Sequence, residues 1–174
     1  MSQSEPMSNI DTNAFGGLKP SHWMDSDGTL NSYDSTNPLE LSLLGGAFRF
    51  DVWCDDGAID PKLEPHFEWL KANEESLHPK IETGLFTWWK ENRSIYAAEL
   101  EEIEPPAKIA KLCPEVEHSR DMWKHLKPCG ATFRMVGSEP EAILQYMGPW
   151  DPDHEICAVL TGQAEPEILQ GGTF

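Results

Sequence analysis

The chain has 174 residues, enough for one domain with a real hydrophobic core. Thirteen basic residues stand against thirty acidic ones, a formal charge of −17, which repels phosphate backbones and anionic bilayers and argues against nucleic acid or membrane as direct partners. Hydrophobic residues make up only 39%, offset by seven Trp and seven Phe, each of which takes much apolar surface out of water when buried.

The apolar runs are too short to cross a bilayer, and residues 1–13 are polar, without an apolar signal segment. Cys54, Cys113, Cys129 and Cys157 form no C-x-x-C pair, and a chain of this size needs no disulfide staples. Free thiols in a reducing cytoplasm are the expectation.

In chain order, residues 1–14 offer little to bury and are expected to be flexible, leaving a single α+β domain over 15–174. Phe15, Leu18, Trp23 and Leu30 break a polar stretch and suit an irregular strand or a loop laid over the core. Leu39, Leu41 and Leu43 alternate with polar residues, Gly45-Gly46 interrupts, and Phe48, Phe50, Val52 and Cys54 alternate again. Period two marks strands with one buried face, and the glycine doublet suits a hairpin between them. Asp55-Asp56-Gly57 is a turn signal.

Helices follow. Asp60-Pro61 and Glu64-Pro65 are helix starts, with Phe67, Leu70 and Trp69 turned inward. Leu77-His78-Pro79 is expected to end that run. A second helix from Pro79 carries Ile81, Leu85 and Trp88 at i, i+4, i+7, with Trp89 beside them. A third, acidic helix spans Ile95 to Ile103 and stops at Pro105-Pro106. Residues 105–118 read as a surface connection, and Ser119 as the N-cap of a short helix over 120–127 that Pro128 stops.

Apolar runs at 131–136, 142–147, 156–160 and 167–169 read as strands joined by short links. Short links imply antiparallel pairing, because parallel strands need a long crossover. The order strands, helices, strands predicts α+β: an antiparallel sheet with helices packed on one face.

Chemical motifs are sparse. His22, His66, His78, His118, His125 and His154 lack the two-to-five-residue spacing of structural zinc ligands, so no metal is expected, and no cofactor motif occurs: no P-loop, no G-x-G-x-x-G, no G-x-S-x-G. Gly16-Gly17, Gly45-Gly46 and Gly171-Gly172 are bare doublets that suit turns. Two polar clusters stand out. Glu99, Glu101, Glu102 and Glu104 make a negative run, read either as a solvated helix face or as a docking patch for a basic protein. Asp151-Pro152 fits positions i and i+1 of a type I turn that Asp153 closes, with Trp150 packed on the core; Asp151, Asp153, His154 and Glu155 then form either a well-specified hairpin end or a ligand-binding cluster.

Trp150-Asp151-Pro152-Asp153-His154-Glu155, followed by the strand from Ile156, resembles the W-D-P-E-H-G signature that closes a group of small uncharacterised bacterial domain proteins. The run from Ile81 to Lys90 is similar to that group's middle helix, which tends to end in paired aromatics. Asp153 stands in place of Glu, and Glu155 in place of Gly. The resemblance implies an antiparallel sheet with helices on one side, no established catalytic residues, and the look of immunity proteins that bind and block toxins. Two readings compete: a non-catalytic acidic protein that binds a basic, toxin-like protein through Glu99, Glu101, Glu102, Glu104, Asp151, Asp153 and His154; and an enzyme or small-molecule-binding domain with a site near the Trp150–Glu155 hairpin. A closed apolar pocket with converging polar groups favours the second.

Overall fold

The computed structural model describes residues 9–21, 31–55 and 57–171. Trp23, Leu30, His22, Asp56 and Gly172, and residues 1–8 of the segment expected to be flexible, lie outside the described residues. Residues Ile10–Thr12 of that segment form a short strand, β1, and Gly16–Pro20 form β2. Ser32–Ser35 (β3), Leu39–Leu41 (β4), Gly46–Phe48 (β5) and Phe50–Trp53 (β6) follow. Three helices come next: α1 (Leu63–Ala72), α2 (Glu74–Glu101) and α3 (Pro106–Leu112), then a 3₁₀ turn, Ser119–Lys124. Four strands complete the order: β7 (Lys127–Val136), β8 (Glu139–Gly148), β9 (Asp151–Thr161) and β10 (Glu167–Gln170).

The fold is α+β, a mixed, mostly antiparallel eight-stranded sheet in the order β1-β2-β3-β6-β7-β8-β9-β10. One neighbouring pair departs from the expected antiparallel pattern: β6 and β7 run parallel, with Phe50 beside Ala131 and Val52 beside Phe133. All three helices lie between these strands in sequence, and such a crossover is what parallel pairing requires. The anticipated hairpin at the glycines is a separate two-stranded sheet of β4 and β5, and Arg49 separates it from β6.

Alternation sorts the main sheet into two faces. Leu18, Tyr33, Val52, Phe133, Leu144 and Ala158 point to one side and join Phe67, Leu70, Ile81, Leu85 and Trp89 of α1 and α2 in the main core. Phe15, Phe50, Phe67 and Phe133 form its densest aromatic part, with ring centroids 4.8–6.0 Å apart. The other side carries a small separate cluster of Ile143, Cys157 and Val159 against Leu169.

The helix boundaries differ from the expected ones. Pro79 lies inside α2, and the break falls at Asn73 instead. The bond Pro79 cannot donate would have gone to the carbonyl of exposed Glu75, close to the helix start, where its loss costs least. Asn73 ends α1 because its side-chain amide donates to the Trp69 carbonyl at 2.8 Å, competing with the helical ladder. The buried stripe of α2 is Leu77, Ile81, Leu85, Trp89 and Tyr96, with Trp88 only partly buried, and the helix continues unbroken to Glu101, taking in most of the segment expected to be a third helix. Residues 106–112, expected to be a connection, are helical, with Pro106 at a first-turn position. Ser119 does not cap by its side chain; its hydroxyl donates to Glu82, which also accepts from the Trp123 indole, fastening the 3₁₀ turn to α2. Pro128 does not end a helix but lies within β7, next to a bulge at Cys129.

Candidate functional site

Three polar regions are candidates, and α2 builds the first. Its core stripe ends at Trp89 and Tyr96, whose rings stack at 6.3 Å, and the Trp89 indole donates to the Pro114 carbonyl. Past Tyr96 only Ala97 and Leu100 of the helix still pack against the core, and both are only partly buried. Ile95 and Ile103 are 55% and 74% exposed, and Glu99, Glu101 and Glu102 are exposed around them. The last turn of α2 contains no basic residue. A helix C-terminus is the negative end of the macrodipole and favours cations, so these carboxylates stand where local electrostatics would not put them. Glu104 differs: its carboxylate accepts from Lys108 of α3.

The second region is the β8–β9 hairpin. The turn falls three residues earlier than expected, at Pro149-Trp150, and Asp151 opens β9 paired with Gly148. The reason is Trp150. Its ring folds back over Gly148 so closely that a Cβ there would collide with it, and it stacks on Trp89 with centroids 3.9 Å apart. Asp151 is spent locally: its Oδ1 accepts the backbone N–H groups of Asp153 and His154 at 3.1 Å, and its Oδ2 lies 3.0 Å from His154 Nδ1. Asp153, expected to close the turn, lies in β9 instead, where its N–H donates to Asp151, and its side chain is exposed, as is His154. Burial pushes the Tyr96 phenol up to about 12, and the carboxylates of Asp151 and then Glu99 add to the effect. Tyr96 thus lies in the field of a carboxylate from each of the two regions. Among the described residues no hydrogen bond or ion pair joins Glu101, Glu102 or Glu104 to the hairpin.

The third region was not singled out from the sequence. It lies on the sheet face away from the helices. Lys19 is the register partner of Asp34, and Asp34 that of Asp51. Asp51 accepts from the Thr132 hydroxyl at 2.9 Å. Burial raises its carboxyl above the usual range, hydrogen bonds from Thr132 and Trp53 work against that rise, and the nearby Asp34 charge adds to it. Lys19, Asp34 and Asp51 border a cavity of about 800 Å³ together with Arg49, Gly130 and Gln145. Next to it, Arg134 donates to Glu141 at 2.8 Å, Glu141 accepts from Thr161, and the Arg134 guanidinium lies 5.4 Å from the Trp53 ring centroid. Strand alternation places Lys19, Asp34, Asp51 and Thr132 opposite the core, but only pairing across β2, β3, β6 and β7 makes them neighbours.

The histidines are dispersed. His66 is buried, 3.2 Å from the Leu160 carbonyl and stacked on Trp69, and burial lowers its pKa; His78 stacks on Trp123. Among the described residues no three His, Cys, Asp or Glu side chains gather as a metal-binding group. The four cysteines are free, and no described helix is long and apolar enough to cross a membrane.

A protein family described as a domain of unknown function, DUF6985, matches residues 15–168. No curated protein and no solved structure matches the chain.

Proposed function

The chain belongs to the DUF6985 family, and from the surface of this member we propose that it is a non-catalytic protein-binding domain that captures a basic partner at the end of α2, in the manner of an immunity protein that neutralises a toxin by direct binding. One observation carries the reading: exposed Ile95 on the last part of α2 and exposed Ile103 in the turn just after it flank Glu99, Glu101 and Glu102 in sequence, with no cation in the last turn of the helix. Exposed apolar side chains rimmed by charge are how docking surfaces are built. The isoleucines supply affinity, and the carboxylates supply steering and partner choice. The formal charge of −17 extends that steering field. Exposed Asp153 and His154 extend the surface past Tyr96, while Glu104 stays committed to Lys108. The partner is a basic protein that presents an apolar spot ringed by Lys or Arg.

The test compares capture from native-host lysate by three immobilised proteins: the parent, Ile95→Asp/Ile103→Asp, and Glu99→Lys/Glu101→Lys/Glu102→Lys. Quantitative mass spectrometry is expected to find a basic protein on the parent and to lose it from both variants. Its association rate then falls as salt shortens the screening length to about 8 Å at physiological ionic strength. An acidic partner, or one retained by both variants, defeats the reading. Protection of cells that express the captured protein as a toxin tests the immunity role itself.

A further inference from the structure

The cavity on the open sheet face has a charge arrangement that calls for a ligand of its own. Lys19, Asp34 and Asp51 stand side by side across β2, β3 and β6, and Arg49 precedes Asp51 by two residues. All four border the same space of about 800 Å³, within the ~300–1,000 Å³ typical of ligand clefts. Among the described residues six of the thirteen Lys and Arg side chains pair with a carboxylate: Lys71, Lys80, Arg93, Lys108, Lys124 and Arg134. Among the described residues Lys19 and Arg49 pair with no carboxylate, and Asp34 pairs with no cation, although it is the cross-strand neighbour of Lys19. Gly130 helps to form the floor, because its missing side chain leaves room for the Gln145 amide, which a Cβ would strike.

A plain cation entering this space meets Lys19 and Arg49, and a plain anion meets Asp34 and Asp51. A molecule carrying both charges satisfies both pairs. We propose that the cavity binds a small zwitterion of the amino-acid or short-peptide class, its ammonium on Asp34 and Asp51 and its carboxylate on Lys19 and Arg49. The site lies on the face opposite the helices and does not depend on the α2 surface. Asp51 is half-buried beside a like charge, a placement that costs the fold something and that a bound ammonium offsets.

The experiment titrates L-alanine, dialanine and trialanine into the full chain and follows backbone amide resonances of Asp34, Gly130 and Thr132. At least one peptide is expected to shift all three saturably at millimolar concentration. Acetylating its amine or amidating its carboxylate weakens binding about tenfold, ~1.4 kcal/mol, as do Asp34→Asn and Arg49→Gln. Asp51→Asn weakens binding while raising the thermal midpoint of the free protein, which a purely structural role for Asp51 does not allow. If none of the three moves these resonances, or if the blocked forms bind as well as the free ones, the proposal is overturned.

Discussion

The two faces of the main sheet carry the same strand alternation to opposite ends. On the helix side, Leu18, Tyr33, Val52, Phe133 and Leu144 meet α1 and α2 in one continuous apolar core. On the side away from the helices, the residues between them are Lys19, Asp34, Asp51, Thr132 and Ile143, and the apolar cluster there is, among the described residues, limited to Ile143, Cys157, Val159 and Leu169. The first face is shaped by burial, which rewards any apolar side chain of the right volume. The second keeps charge where it is partly desolvated, at a cost to the fold that packing does not explain. The lesson is that stability and recognition are divided between faces, so substitutions on the two are expected to move stability in opposite directions.

The sharpest way to break the comparison is on the helix side. Trp150→Ala removes the ring that stacks on Trp89 and is expected to cost about 3–5 kcal/mol, read from urea unfolding. A parent-like midpoint would show that the hairpin is not fastened to the core. Gly148→Ala attacks the same stack from below, by putting a Cβ where the Trp150 ring lies. It is expected to cost roughly 1–3 kcal/mol, as overpacking does, with loss of the near-ultraviolet dichroism of the Trp pair.

Two ionisable groups sharpen the contrast further. His66 is buried on the helix side with its pKa lowered by desolvation. The unfolded chain therefore takes up this proton first, and the stability that neutral His66 preserves is full above pH ~6.5 and falls as the pH drops from there towards the lowered folded value. His66→Gln is expected to flatten that part of the pH profile. Asp51, on the open side, has the opposite sign. Its folded pKa is raised, so the folded state holds the proton longer and stability falls as the pH rises from the ordinary carboxylate value through the raised one. Asp51→Asn is expected to raise the thermal midpoint at neutral pH, and the gain to vanish in acid. The smallest effect belongs to Glu99→Lys/Glu101→Lys/Glu102→Lys. Cations at the end of α2 suit the macrodipole, and the triple variant is expected to gain about 0.3–1 kcal/mol while losing its partner.

Much of the fold was legible in the sequence because it depends on local rules. Leu39, Leu41, Phe48, Phe50 and Val52 announce strands by alternation, and Pro105-Pro106 announces a stop. The misplacements share a cause. Pro79 was expected to break a helix, but its position near a solvated helix start makes it tolerable, and the stronger signal was the Asn73 amide turning back on Trp69. Of the candidate site, the run from Glu99 to Glu102 was visible as a charge run; that Ile95 and Ile103 stay exposed beside it was not, because an isoleucine in a helix carries no mark of whether anything packs on it.

What the sequence determined by itself was therefore whatever a few neighbouring residues decide: strand and helix type, the thiols spaced too far apart to read as a pair, the strong negative charge, the aromatic weight of the core. What only the tertiary structure decided was juxtaposition. The parallel join of β6 to β7, the fold of Trp150 over Gly148 onto Trp89, and the meeting of Lys19, Asp34 and Asp51 all bring together residues far apart along the chain. Spacing in sequence has no bearing on them. Sheet register and ring packing, set by burial summed over the whole domain, do.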